Sequence, residues 1–391
     1  MARWMTRPEA IEALGVRPQT LYAYVSRGRV EVREDPADPR RSLYRAQDIA
    51  ALLRRRELGR ARDSIASSTM SWGEPIIATE ISTIVRGRLW YRGQDALVLA
   101  ETATLEEAAQ LLWASRGLPV FSPCAPPGHR LARAAAYSSL GIAAAEGSPA
   151  YALSPAARHE EAARLVGRLA GAFVAIAPAE GDAAQVPLHR RVARAWGCEA
   201  QAELLRRALV ILADQELTTS AFAARVTAST GASLGACALA GLAALSGPLH
   251  GDATLQVQAL LDEVGRSGAE PAVRRWLASG VPLPGFGHPL YPEGDPRAVA
   301  LLATFEPSAG ARGLMECVHR ITGLAPTIDV ALAALVEHLR LPEGAAFALF
   351  AIGRCVGWMA HSIEQITGGT LLRPRARYVG ARIAGEADED A

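Results

Sequence analysis

The sequence predicts a mainly α protein: a small helix-turn-helix module followed by a long, almost wholly helical body. Three observations carry this. From Thr104 onward Ala, Leu and Arg dominate, in helix-forming runs of roughly 10–20 residues that stop at Gly or Pro. Strand-like patterns are short and confined to the residues before Thr104. Residues 1–62 have their own composition, with fourteen arginines against eight Asp and Glu, and their own turn signals. At 391 residues the chain is long enough for two or three domains.

Taken in order, Thr6-Arg7-Pro8-Glu9 has the form of a capping box and opens a short amphipathic helix over Ala10, Ile11, Ala13 and Leu14. Gly15 breaks it. Pro18 begins a second helix with Leu21, Tyr22 and Val25 inward, ending near Gly28. Val30 to Tyr44, with Asp35-Pro36 and Asp38-Pro39 between, reads as a β-wing. A third helix starts near Ala46 and runs at least to Arg56. The pattern resembles the winged helix-turn-helix domains of the MerR/excisionase type. Gln19, Thr20, Tyr24, Ser26, Arg27 and Arg29 fall on the exposed face of the second helix, a set suited to a DNA groove. Two uses stay open for 1–62: reading DNA, or an arginine-rich docking face.

Residues 63–72 are Ser-rich and read as a linker. Short strands are expected at Ile76–Ala78, Thr79–Ser82 and Leu89–Gly93, and Thr104 with Glu107 caps a helix. Helices are expected over Leu131–Ala145 and Glu161–Ile176, with loops at Gly117–His129 and Pro178–Leu188. Ala221–Leu245 is apolar and rich in small residues, which suits a close-packed helix pair. The tail from Gly385 is acidic and expected to be disordered.

Composition narrows the function. The chain is 50% hydrophobic and 21% charged, with a net charge of +1, so no global polyanion signal exists. It contains no lysine; all 41 basic residues are arginine. That excludes Schiff-base and pyridoxal-phosphate chemistry and a P-loop ATPase, which need lysine. No GxGxxG follows a strand, which argues against a Rossmann site. The five cysteines are scattered and lack metal or disulfide spacing, so no metal site and no permanently bound cofactor are expected. No uninterrupted apolar run reaches the ~18 residues of a membrane span, and the N-terminus lacks the apolar core of a signal peptide. A cytoplasmic protein without a membrane role is expected.

The informative stretches are Ser246-Gly247-Pro248-Leu249-His250-Gly251 and Pro284-Gly285-Phe286-Gly287-His288-Pro289-Leu290-Tyr291, followed by Asp295-Pro296-Arg297. Each histidine stands at a Gly/Pro-rich break, where the backbone can approach a ligand. Read with Pro326-Thr327-Ile328-Asp329, Gly353-Arg354-Cys355-Val356-Gly357-Trp358-Met359-Ala360-His361 and Arg373-Pro374-Arg375, they resemble the ordered signature of the citrate synthase family, from about Gly73 to Gly380.

The resemblance implies a Claisen-type condensation of acetyl-CoA, the co-substrate, with oxaloacetate, then thioester hydrolysis to citrate and CoA. It implies a homodimer with a large domain, residues 73–251 and 341–391, and a small domain, 252–340, that closes over small-molecule substrates. Asp329 would be the base; as residue types go, an N-terminal helix cap is the plainer reading of that Asp. His250 would stabilise the enol and His288 would polarise the keto carbonyl. Arg297, Arg354 and Arg373 would clamp the dicarboxylate, Arg373 reaching the partner's site. Leu283-Pro284-Gly285 would hold the CoA adenine. His361 reads as structural, and the remaining histidines as surface or core residues.

Three departures from the family's pattern stand out. Gln215, in Asp214-Gln215-Glu216, occupies the place of a substrate-binding histidine. Pro292 stands where a basic contact to CoA is usual. Asp252 follows the His250 loop, where it is expected to raise the His250 pKa. Two other readings therefore remain: a 2-methylcitrate synthase using propionyl-CoA, and a metabolite-sensing regulator that binds DNA through 1–62.

Overall fold

In the computed structural model the described residues are 4–16, 18–26, 29–36, 38–50, 52–53, 77–122, 128–129, 131–176, 185–376, 378 and 380. The linker expected at 63–72, the third helix beyond 53 and the acidic tail lie outside them. The chain divides into two units, Met1–Ala78 with Pro374–Ala391, and Thr79–Arg373.

The first unit begins with β1 (Trp4–Thr6) and α1 (Arg7–Leu14), followed by α2 (Pro18–Ser26), β2 (Val32–Asp35), β3 (Asp38–Arg45) and α3 (46–50). The sheet is antiparallel in the order β1-β3-β2. The Thr6 N–H donates to the Glu9 carboxylate at 2.6 Å, as the capping box requires. Gly15, at φ +61°, closes α1 in the left-handed conformation. Ala10, Leu14, Leu21, Val30, Tyr44 and Ile49 form a small core. Two tyrosines differ from expectation. Tyr24 packs on that core while Tyr22 is 47% exposed, its hydroxyl accepting from Arg7 Nη1 at 2.9 Å. Helical geometry explains the exchange: Leu21, Tyr24 and Val25 are spaced i, i+3, i+4 and share one face.

The second unit opens with a meander: β4 (Ser82–Val85), β5 (Arg88–Tyr91) and β6 (Gln94–Asp95). Strand pairing starts only at Ser82, paired with Tyr91. Of the strands expected before it, residue 76 lies outside the described residues and 77–81 have no ladder partner; Ile81 is buried in the helical core instead.

Helices fill the rest: α4 (Ala96–Thr102), α5 (Leu105–Trp113), α6 (Ala132–Glu146), α7 (Pro155–Val174), α8 (Leu188–Ala195), α9 (Ala202–Leu212), α10 (Thr219–Ser229), α11 (Leu234–Leu245), α12 (Ala253–Ser267), α13 (Ala269–Ala278), α14 (Pro296–Leu302), α15 (Ala309–Thr322), α16 (Ile328–Leu339) and α17 (Ala345–Gly368). Ser and Thr hydroxyls set many of the starts. Thr104, Ser154, Thr218, Ser233, Ser308 and Thr327 each accept a backbone N–H from the first turn. The expected pair over 221–245 is α10 and α11.

Two apolar cores organise this unit. The larger surrounds α17, which passes through it with nearly every residue buried. Although α17 is long and apolar enough to cross a membrane, 94% of its most apolar window is buried in protein. Gly357 permits its closest approach: a Cβ there would lie 2.5 Å from the Ala213 carbonyl oxygen. The smaller core gathers α12, α13, α15 and part of α16, from Val257 to Ala334. Helix α16 serves both. Ile328, Ala331, Leu332 and Leu335 face the larger core; Val330, Ala333 and Ala334 face the smaller.

Candidate active site

The smaller core presents two segments that zip together. The Thr327 N–H donates to the Gly285 carbonyl at 2.8 Å, and the Gly287 N–H to the Ala325 carbonyl at 2.9 Å. An antiparallel bridge joins Phe286 and Pro326 between them. These bonds join the segment just before His288 to the segment just before Asp329, 41 positions on. Gly285 is obligatory here: its φ is +77°, and a Cβ would meet Val257 Cγ2 at 2.5 Å. Leu283 and Pro284, beside it, are buried.

Asp295 locks the next layer. It is the N-cap of α14, accepting from the Arg297 N–H at 3.0 Å. Its carboxylate takes two bonds from the Arg297 guanidinium, at 2.9 and 2.8 Å, and one from the Ile328 N–H at 3.0 Å. One buried carboxylate therefore fixes both the arginine and the first turn of α16. Burial alone would lower the Arg297 pKa, but Asp295 outweighs it and holds it raised. Arg297 Nη1 also donates to Gln215 Oε1. With its oxygen committed, Gln215 turns its amide nitrogen toward His288, 3.5 Å from Nε2.

Protonation follows from these partners. The Leu290 N–H donates to His288 Nδ1 at 3.2 Å, so the neutral ring carries its proton on Nε2. Burial, reinforced by Arg297, pushes the His288 pKa down to about 4. His250 is pushed to about 3 by burial, then by Arg354 and Arg297. Its Nε2 lies 2.8 Å from Ser220 Oγ, and its ring meets Phe350 edge to face. Both imidazoles are thus neutral at neutral pH.

Asp329 is not the helix cap. Thr327 caps α16, and its hydroxyl donates to Asp329 Oδ2 at 2.8 Å. Asp329 Oδ1 is buried with no hydrogen-bond partner among the described residues. Desolvation raises this carboxyl's pKa, against the pull of Thr327 and Arg297. A basic carboxylate with one open oxygen suits proton abstraction from carbon.

Arg354 comes from the middle of α17 and is fully buried. Its Nε donates to the Leu212 carbonyl at 2.9 Å and Nη1 to Thr218 Oγ1 at 3.4 Å, while Nη2 has no hydrogen-bond partner among the described residues. Burial lowers its pKa. The charge of Arg297 bears on His250, His288, Asp329 and Arg354 alike, so these four lie within its electrostatic reach. Arg373 is exposed and makes no hydrogen bond among the described residues.

Asp252 behaves otherwise than expected. Its carboxylate pairs with Arg133, the Nη1 bond measuring 2.9 Å, and it does not raise His250. The arginine on α6 satisfies it first. His361 is buried in α17, as a structural residue would be. Asp295 and Thr327 stand inside the motifs read from sequence but were given no role there, and Ser220 was not singled out. Asp-Pro at a helix start was a readable capping signal for Asp295; Ser220 had none.

The citrate synthase C-terminal domain profile matches residues 121–375. This chain belongs to the citrate synthase family. Citrate synthase 2 of Bacillus subtilis is 29% identical over 353 residues, covering 78% of this chain and 95% of that protein. The citrate synthase of Haloferax volcanii is 37% identical over 196 residues, 47% of this chain and 52% of its own length. Among solved structures, the citrate synthase of Thermotoga maritima aligns with a TM-score of 0.63 at 28% identity, over 81% of this chain and 96% of that one. A ternary complex of Thermoplasma acidophilum citrate synthase with carboxymethyl coenzyme A and oxaloacetate shares the fold, with a TM-score of 0.65 at 24% identity over 80% and 96%. The family is one of enzymes, and its fold is the helical one described above.

Proposed function

We propose that this chain condenses acetyl-CoA with oxaloacetate, releasing citrate and CoA. The reading rests above all on Asp329, with an open buried oxygen, and His288, with its proton on Nε2, which follow the two segments zipped together at 285–287 and 325–327. Asp329 Oδ1 takes a proton from the acetyl methyl carbon. His250 donates to the thioester oxygen as the enol forms. The enol carbon attacks the keto carbon of oxaloacetate, and the keto oxygen receives hydrogen bonds from His288 Nε2–H and the Gln215 amide. Water then cleaves the thioester.

Arg354 Nη2, lacking a partner, takes one substrate carboxylate. Arg373, exposed in this protomer, takes the other in the site of a second copy. Arg297 is already paired with Asp295 and acts mainly by holding Gln215. Leu283-Pro284-Gly285 lines the CoA adenine. The two apolar cores are assigned to the large domain, 73–251 and 341–391, and the small domain, 252–340, which close about α16 to exclude water. The enzyme is placed in the cytoplasm.

The test is CoA release by the purified protein from acetyl-CoA, with and without oxaloacetate, with propionyl-CoA as the comparison acyl donor. Oxaloacetate-dependent release with a preference for acetyl-CoA supports the reading. Preference for propionyl-CoA redirects it to 2-methylcitrate, and no release from either ends it.

A second activity is favoured by the N-terminal unit, in which two short helices precede a hairpin. Gln19 and Arg29 are exposed there. We assign this unit to duplex DNA, with α2 entering the major groove. A fluorescent duplex should be retained at ~50 mM salt and released near ~200 mM if phosphate contacts carry the binding. Tyr24, being packed inward, drops out of the contact set.

A further inference from the structure

Gln215 is presented by a run that its own backbone resists. Glu216, next in sequence, has φ +54°, the left-handed conformation that non-glycine residues rarely adopt. Something must hold it there. Ser82 of β4 does so from both sides: its hydroxyl accepts from the Glu216 N–H at 2.8 Å and donates to the Asp214 carboxylate. Asp214 is itself fully buried.

Behind Asp214 runs a polar chain. His361 Nε2 lies 3.4 Å from Asp214 Oδ2, and His361 Nδ1 lies 3.2 Å from Arg225 Nη1. An arginine can only donate, so Nδ1 accepts and the ring's proton sits on Nε2, on the Asp214 side, close to that carboxylate but outside hydrogen-bond geometry. Burial would raise the Asp214 pKa, but His361 and then Arg354 outweigh it and keep this carboxyl ionised.

Arg225 also reaches the opposite way. Its Nε donates to Gln365 Oε1 at 2.7 Å. Gln365 Nε2 in turn donates to the Thr370 carbonyl at 2.7 Å and to its hydroxyl at 3.1 Å. Thr370 stands three residues before Arg373. An ion pair with Glu364 at 2.6 Å fixes the guanidinium between the two arms. Arg225 is only 4% exposed.

We infer that Arg225 is a positioning residue for two separate parts of the oxo-acid site: the Gln215 turn, through His361 and Asp214, and the Arg373 segment, through Gln365 and Thr370. This rests on the oxo-acid reading given above. If Arg373 serves a second protomer, the same guanidinium ties the site of one copy to the arm that completes the other. A planar fork can meet acceptors in three directions at once; an ammonium cannot.

Arg225→Lys keeps the charge and the Glu364 pair, so it is the variant that preserves the fold. Gln365→Met cuts only the tail arm. Hydrogen exchange of the full-length protein, read by mass spectrometry, should show amides in 214–218 and 368–373 exchanging about tenfold faster in Arg225→Lys, with 283–290 unchanged. In Gln365→Met only 368–373 should respond. In steady state, Arg225→Lys should raise the oxaloacetate KM about tenfold and leave the acetyl-CoA KM within about twofold. Unchanged exchange in either segment of Arg225→Lys overturns the inference, and so does an equal rise in both KM values. Absence of oxaloacetate-dependent CoA release in the parent protein would sink the reaction reading instead; the exchange pattern would still decide whether Arg225 holds both segments.

Discussion

Two arginines meet in this site, and the protein buries them in opposite ways. Arg297 stands in the first turn of the short helix α14 and is matched by the carboxylate that caps that helix, Asp295, through two parallel bonds. Arg354 stands in the middle of α17, 24 residues long, and is matched by a carbonyl, a hydroxyl and the face of Phe350 5.1 Å away. The pKa shifts diverge accordingly. Burial wins at Arg354 and lowers it; the ion pair wins over burial at Arg297 and raises it. A fully paired arginine is a structural strut, whereas one with an empty Nη2 has capacity left for a ligand. The loop side is held by hydrogen bonds and glycine, and the helix side by apolar packing. Chemistry that must move with closure belongs on the first, and a fixed anion seat on the second.

The largest expected effect concerns the loop side. Asp329→Asn should cut oxaloacetate-dependent CoA release by ~10²–10⁴-fold, the usual range for a general base, without a loss of melting temperature. Activity within a factor of a few of the parent would remove Asp329 from the chemistry and leave the loop side merely structural.

Next comes the direct comparison of the two arginines. Arg297→Met strands Asp295 in the interior, and breaking such a pair costs about 3–5 kcal/mol. Arg354→Met removes a ligand seat, so it should raise the oxaloacetate KM while costing less stability than Arg297→Met. Urea titration of both variants reads the difference. Equal losses of stability would erase the distinction between strut and seat.

Gly285→Ala should cost roughly 1–3 kcal/mol through left-handed strain and the contact with Val257. Because Gly285 accepts the bond from Thr327, the acetyl-CoA KM should rise with it. Gly357→Ala, on the helix side, should cost about 1–3 kcal/mol by overpacking, and its damage should fall on Asp214 and Gln215, hence on oxaloacetate. A kinetic pattern the same for both glycines would mean that the sides are not separable.

The smallest effect is on pH dependence. His250 and His288 titrate at about 3 and about 4 when folded, against about 6.5 in an unfolded chain. Below about pH 6.5 the unfolded chain therefore binds protons that the native rings refuse. The stability these rings permit is complete above that value and is lost progressively as pH falls toward 4 and 3. Ring proton shifts of both residues should stay flat from pH ~8 to ~5 in NMR spectra; a midpoint near 6.5 for either would show a ring open to water.

Much of this was legible in sequence because it is local. The capping boxes at Thr6 and Thr104 were read directly, each bond spanning three residues; the caps at Ser154, Ser233 and Thr327 were not read. The motif residues His250, His288, Asp329, Arg297 and Arg354 were picked from ordered short patterns. Chain-distant choices were not legible. Asp252 was expected to act on the neighbouring His250 and instead pairs with Arg133, 119 residues away. Ser82, in a stretch read only as strand, grips Asp214 across 132 residues.

The sequence by itself determined the helical class and the capping boxes at Thr6 and Thr104, since periodicity and capping act over a few bonds. Only the tertiary structure decided which charges are spent on each other and which stay open. Whether Arg297 or Arg354 is complete depends on the buried acceptors that folding brings within 3 Å, and no local pattern carries that information.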